Sequence, residues 1–71
     1  MNERITTDPK VLAGQPVIRG TRIPVYVILE VLAAGNSRED ILRQYPQLRD
    51  EDLTAAMEYA SQILKGEVLE A

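Results

Sequence analysis

The sequence predicts an α+β fold: a short N-terminal β element of two strands, then a bundle of three helices, in a single domain over residues 1–71. Three observations carry that prediction. The stretch from Gly14 to Val25 packs two glycines, two prolines and two arginines into twelve residues, a corner between extended and helical chain. An almost wholly apolar run follows, entered at Pro24 and left at Gly35. Further on, Leu53, Ala56, Met57, Ala60, Ile63 and Leu64 recur at i, i+3, i+4, i+7, i+10 and i+11, which makes one stripe on a helix.

Arg4-Ile5-Thr6-Thr7 reads as the first strand, ending at the Asp8-Pro9 turn. Lys10 to Ala13 is a connector of about one helical turn whose Val11 and Leu12 are expected to touch the core. Pro16 to Arg19 reads as the second strand, begun where its proline needs no ladder donor. Two strands this short are marginal in water, so packing on the helices or pairing with a second copy is expected to support them. A four-stranded sheet across a two-fold axis would also cover the strand edges.

The first helix is expected from Pro24 to Ala34, with Glu30 as its only charge. A helix apolar almost all round is buried on most sides or lies in an interface. On this reading Val17, Ile18, Val25, Ile28, Leu29 and Leu32 form the core or a homodimer contact, with Tyr26 and Tyr59 beside them. Ser37 opens the second helix, Arg38 to Gln44, and Asp40 stands where it can imitate the acidic half of a capping box. Ile41, Leu42 and Tyr45 face inward, and Pro46 ends the helix. The third helix closes near Lys65, whose charge suits the helix dipole, with Gly66 as the residue after the cap and 66–71 as a frayed tail.

Composition narrows the function. Seventy-one residues without a cysteine cannot use a disulfide to reinforce a small core, so a homodimer is expected. The lack of histidine and cysteine removes the commonest metal ligands and the most versatile general base. No catalytic residue, metal, cofactor or small-molecule substrate is expected. Asp50-Glu51-Asp52 is the one acidic cluster, but successive helical residues diverge by about 100° and the helix dipole alone favours acids there. No signal pattern or apolar stretch of membrane-spanning length is seen, so a cytoplasmic location is expected.

Charge is unevenly placed. Residues 1–24 carry four basic against two acidic side chains, a balance of +2; residues 25–71 carry four against nine, a balance of −5. A nucleic-acid binder normally shows a basic face, so the front end is the candidate and the whole favours a protein partner. The second helix, the Pro46 turn and the third helix suggest a helix-turn-helix, yet the reading end of that third helix is acidic.

One combined pattern remains: Ile5 with Asp8-Pro9, then Gly14-Gln15-Pro16-Val17-Ile18-Arg19-Gly20-Thr21-Arg22-Ile23-Pro24-Val25, then Tyr45-Pro46-Gln47-Leu48 and Glu51-Asp52-Leu53. It resembles the small bacterial family known as domain of unknown function 433, from about residue 5 to residue 64. The resemblance implies a short β segment before a homeodomain-like three-helix bundle. It also implies an antitoxin role in a two-gene toxin–antitoxin module, beside a PIN-like ribonuclease. The chain departs from the family at Arg49, where threonine is usual; arginine accepts no N–H bond, so the helix cap is expected to move to Asp50.

Arg19 and Arg22 flank the Gly20-Thr21 corner, with Arg4 on the adjacent strand. Either they bond carbonyls and carboxylates locally, or Arg4, Arg19, Thr21 and Arg22 form a basic ridge. Such a ridge could grip operator DNA, or block the acidic pocket of a PIN-like nuclease through bidentate pairs. The leading expectation is a non-enzymatic antitoxin. The alternatives are a DNA-binding regulator, autoregulating its operon, and a purely structural dimerisation module.

Overall fold

The computed structural model describes the backbone of residues 3–70 and the side chains of residues 3–66. Two antiparallel strands, β1 (Ile5–Thr6) and β2 (Val17–Ile18), precede three helices, α1 (Val25–Ala33), α2 (Arg38–Gln44) and α3 (Asp50–Glu70). The fold is therefore α+β. Ile5 pairs with Ile18 and Thr6 with Val17, and a bridge from Val17 to Pro24 flanks β2 on its other side. That bridge launches α1: Val25 donates its N–H to the Pro16 carbonyl at 2.9 Å, so Pro24 acts as the extended cap and Val25 as the first helical residue.

Between the strands the connector departs from expectation. Leu12, Ala13 and Gly14 all take left-handed φ, at 50°, 59° and 84°. Leu12 is thereby turned outward and is 44% exposed, so only Val11 of the expected pair is even half-buried. Left-handed backbone costs an ordinary residue about 1–2 kcal/mol. Bonds from Gly14 to Val11 and from Gln15 to Leu12 hold the turn against that cost.

The core consists of Ile5, Ile18, Val25, Ile28, Ile41, Leu48, Leu53, Ala55 and Ala56, with Leu29, Val31, Leu32, Leu42 and Tyr45 packed partly against it. Val17, Ile18, Val25 and Ile28 are thus interior to the protomer. Ile5, the outward-bonding residue of β1, is only 3% exposed.

Gly35 ends α1 as expected, at φ +93°. Its N–H reaches the Leu32 carbonyl at 3.0 Å and that of Asn36 reaches Val31 at 3.3 Å, the paired bonds of a Schellman ending. The helix is not buried on most sides, however, because Tyr26 is 52% exposed and Glu30, Ala33 and Ala34 face solvent. At α2 the Ser37 hydroxyl accepts from the Asp40 N–H at 3.1 Å. The carboxylate of Asp40 does not return that bond; it takes Arg43 instead, at 2.9 Å.

Two expectations for α3 are corrected. Gly66 is not a terminus: with no left-handed φ, it sits inside a helix that continues through Glu70, and Ala71 lies outside the described residues. The apolar stripe is also only half used. Leu53 and Ala56 are buried, but Met57, Ile63 and Leu64 are 39%, 47% and 58% exposed.

Candidate functional site

The first turn of α3 explains its own sequence. Arg49 remains at the cap position, and the missing hydroxyl of that residue is compensated from inside the helix. Asp52 folds back so that its Oδ2 accepts the Arg49 N–H at 2.9 Å, while its own N–H bonds the Arg49 carbonyl at 2.9 Å. This is the returning half of a capping box, with aspartate in the role usually held by glutamate. The cap does not move to Asp50.

Asp52 is nearly sealed, at 5% exposure, and its other oxygen accepts from the Arg4 guanidinium at 3.1 Å. One carboxylate therefore fastens the start of α3 to the start of β1, 48 residues away in sequence. Asp50 is spoken for as well. Arg38 donates to its Oδ1 at 2.7 Å, to its carbonyl at 3.0 Å and to the Thr54 hydroxyl at 2.7 Å. The hydrogen bond from Arg38 holds the Asp50 carboxyl below the usual aspartate value and pushes the Arg38 pKa up. Both side chains are well exposed, so this clamp orders the α2–α3 junction more than it stabilises it. The acidic cluster is thus split between two different arginines instead of converging on one point.

What does converge is basic. Arg4, Arg19 and Arg49, with Glu3, Gln47 and Asp52, line a cleft of about 320 Å³ at the N-terminal end of α3. The Arg19 side chain is braced by its Nε bond to the Glu3 carbonyl at 2.6 Å, and its N–H bonds the Arg4 carbonyl at 2.7 Å. The Arg49 guanidinium is exposed and makes no hydrogen bond or ion pair with any described residue. Three guanidinium groups against two carboxylates leave the cleft net positive, with Arg4 committed to Asp52 and Arg19 and Arg49 presenting donors outward.

Of the expected ridge, Arg4 and Arg19 therefore share one site and Arg22 does not. Arg22 is exposed and lines a separate, wider cleft of about 570 Å³ with Thr6, Asp8, Gly20 and Gln47. Thr21 lines that second cleft too, with its hydroxyl donating to the Ile18 carbonyl at 2.8 Å and accepting from the Ile23 N–H at 3.0 Å. Sequence reasoning missed Arg49 and Gln47 as members of the site. The one signal was the departure at Arg49, a cation at a position that favours an oxygen.

A two-stranded ribbon fastened to three helices, with an arginine-lined cleft at the third helix, defines the class of small α+β domain seen here. The family model described as protein of unknown function, DUF433, matches residues 5–60, and the chain belongs to that family. It is similar to a DUF433 member from Anabaena variabilis known by crystal structure, with 37% identity and a TM-score of 0.80 over 94% of this chain and 66% of that one. An uncharacterized protein, y4eO, from Sinorhizobium fredii is 45% identical over 58 residues, 82% of this chain. An uncharacterized protein from Archaeoglobus fulgidus is 65% identical over 23 residues, 32% of this chain and 64% of that protein. This chain spans about a quarter of the length of the Sinorhizobium relative, 26%.

Proposed function

We propose that this protein is an antitoxin-like binding module that neutralises a PIN-like ribonuclease in the cytoplasm by taking acidic side chains of that partner into the arginine cleft. The observation that carries this is the gathering of Arg4, Arg19 and Arg49 on one cleft. Guanidinium is the cation best suited to carboxylate, because its fixed fork of donors meets both oxygens at once. A nuclease that holds metal with clustered carboxylates offers such a target, and occupying those carboxylates would stop the enzyme without any chemistry by the antitoxin. The charge map favours a protein over a duplex: Asp50 and Glu51 are exposed at the end of α3 that would have to meet phosphates.

The test is titration of the purified chain with a PIN-like ribonuclease encoded in the same genome, read by calorimetry and by inhibition of RNA cleavage. Arg19→Glu with Arg49→Glu should weaken binding at least about thirtyfold, the lower end of what truncating one side of a buried charge pair costs. Undiminished inhibition by the well-folded double variant would overturn the proposal. Duplex DNA from the operator region, titrated in parallel, provides the competing outcome. Tight, sequence-specific binding lost in the same variant would make the cleft a phosphate site and the protein a regulator.

A further inference from the structure

We propose that the apolar groove between α1 and the second half of α3 is where a second copy of this chain docks, each protomer laying the Ile63–Leu64 ridge of its α3 into the other's groove. The groove measures about 310 Å³ and is lined by Tyr26 and Leu29 of α1 and by Tyr59, Ala60, Ile63 and Leu64 of α3, with Val25 beneath. No lining residue carries a charge at neutral pH.

Three observations select a second copy as the occupant. First, the exposed large apolar side chains are gathered, not scattered. Of the five among the described residues, Tyr26, Ile63 and Leu64 line this groove, while Met57, also on α3, and Leu12 lie outside its lining. Single exposed apolar residues need no explanation, but a contiguous group marks an interface. Second, the patch is self-complementary. It contains both a hollow and a ridge, as a two-fold contact requires, since each copy must present the same surface to the other. A different partner would have to bring a matching ridge of its own, whereas a second copy already has one.

Third, there is enough of it. α3 has 21 residues and is about 31 Å long, but no residue beyond Ala56 is buried among those described. The radius of gyration is 12.4 Å, where a compact chain of this length has about 11 Å, as expected if part of the helix overhangs the body. A specific interface needs about 600 Å² from each partner, about one-eighth of the 5068 Å² that this chain exposes. The contact would draw on the apolar side chains that stay open on α1 and on the second half of α3: Tyr26 is 52%, Ile63 47% and Leu64 58% exposed.

Sedimentation equilibrium, run from about micromolar to a few hundred micromolar protein, tests this. The wild-type chain should reach twice its 7.9 kDa mass, with an affinity that does not fall as salt is raised, because the contact is apolar. Leu64→Lys, on the ridge, and Tyr26→Lys, on the opposite wall, should each raise the dimer Kd at least about thirtyfold while helical circular dichroism is unchanged. Should a lysine variant unfold, Leu64→Gln replaces it and should weaken the dimer in the same direction. A wild-type chain that stays monomeric throughout overturns the proposal. So does a dimer indifferent to folded variants on both walls, which would be built on another face.

Discussion

Replacing Asp52 with alanine tests whether one carboxylate joins the ribbon to the bundle. Two bonds are lost. The bond to the Arg49 N–H is a helix cap, and such bonds are worth about 0.5–2 kcal/mol. The bond from Arg4 is charge-assisted and would be worth about 1.5–3 kcal/mol if fully sealed. Asp52 has 7% of its side chain exposed but Arg4 has 41%, so water screens the pair from the arginine side and the ion pair is nearer 1 kcal/mol. Together these give about 1.5–3 kcal/mol. A chain of 71 residues has a total stability of about 3.5–11 kcal/mol, so the loss is a large fraction of it. Thermal unfolding followed by circular dichroism should show a Tm lower by about 6–24 °C. Asp52→Asn keeps the volume and an acceptor for Arg49, and should lose about 1 kcal/mol. Combining Arg4→Ala with Asp52→Ala should be non-additive by about 1 kcal/mol, since either change alone removes the same bond. An Asp52→Ala protein within about 0.5 kcal/mol of wild type, or strict additivity with Arg4→Ala, would refute the reasoning.

Three further outcomes follow from the same geometry. Gly20→Ala should cost about 1–2 kcal/mol in chemical denaturation, because Gly20 has φ +82° and an added Cβ would meet nothing within 4 Å, leaving the backbone conformation as the whole effect. In a carboxyl-carbon NMR titration Asp50 should titrate below the 3.8 of an ordinary aspartate, and Arg38→Ala should return it toward that value. Because the folded value is the lower one, the clamp's contribution to stability is complete above the unfolded value and is lost as pH falls below it through the folded one. Binding of an acidic partner at the arginine cleft should weaken as salt rises from low to physiological strength, and Arg22→Ala should change it less than Arg49→Ala, since Arg22 lines the other cleft.

Local signals in the sequence were sufficient where one residue type has one physical use. Gly35 after an apolar run meant a left-handed helix ending, and Ser37 meant an N-cap; both are found. The apolar periodicity of α3 gave the helix but not its partner. The same stripe continues from Leu53 through Leu64, yet among the described residues full burial stops at Ala56, and where it stops depends on the other elements packed on α3, which the stripe does not encode. The arginines were harder to read because a guanidinium serves equally as brace or as ligand. Proximity in sequence grouped Arg19 with Arg22, whereas the antiparallel ribbon and the return of α3 group Arg19 with Arg4 and Arg49. Contacts across 48 residues, like that of Arg4 with Asp52, leave no trace in any local window.

The position of both proposed surfaces on α3 has a mechanical consequence. The cleft involves Arg49 and Asp52 and the groove begins at Tyr59, so about 10 Å of one continuous helix separates them. A two-fold pair formed through the groove would cover neither cleft, and each dimer would hold two arginine sites fixed in relative orientation by the α3 pair. A dimeric ribonuclease with matching spacing would then be gripped twice, with the second contact made at an effective concentration far above that of the free protein. Loosening the groove would weaken such binding without touching any arginine. A Leu64→Lys variant that is monomeric should therefore lose affinity for a dimeric nuclease while keeping its single-site affinity for a monomeric fragment of it. Equal losses against both would mean that the ridge itself contacts the nuclease, and the two surfaces would have to be redrawn as one.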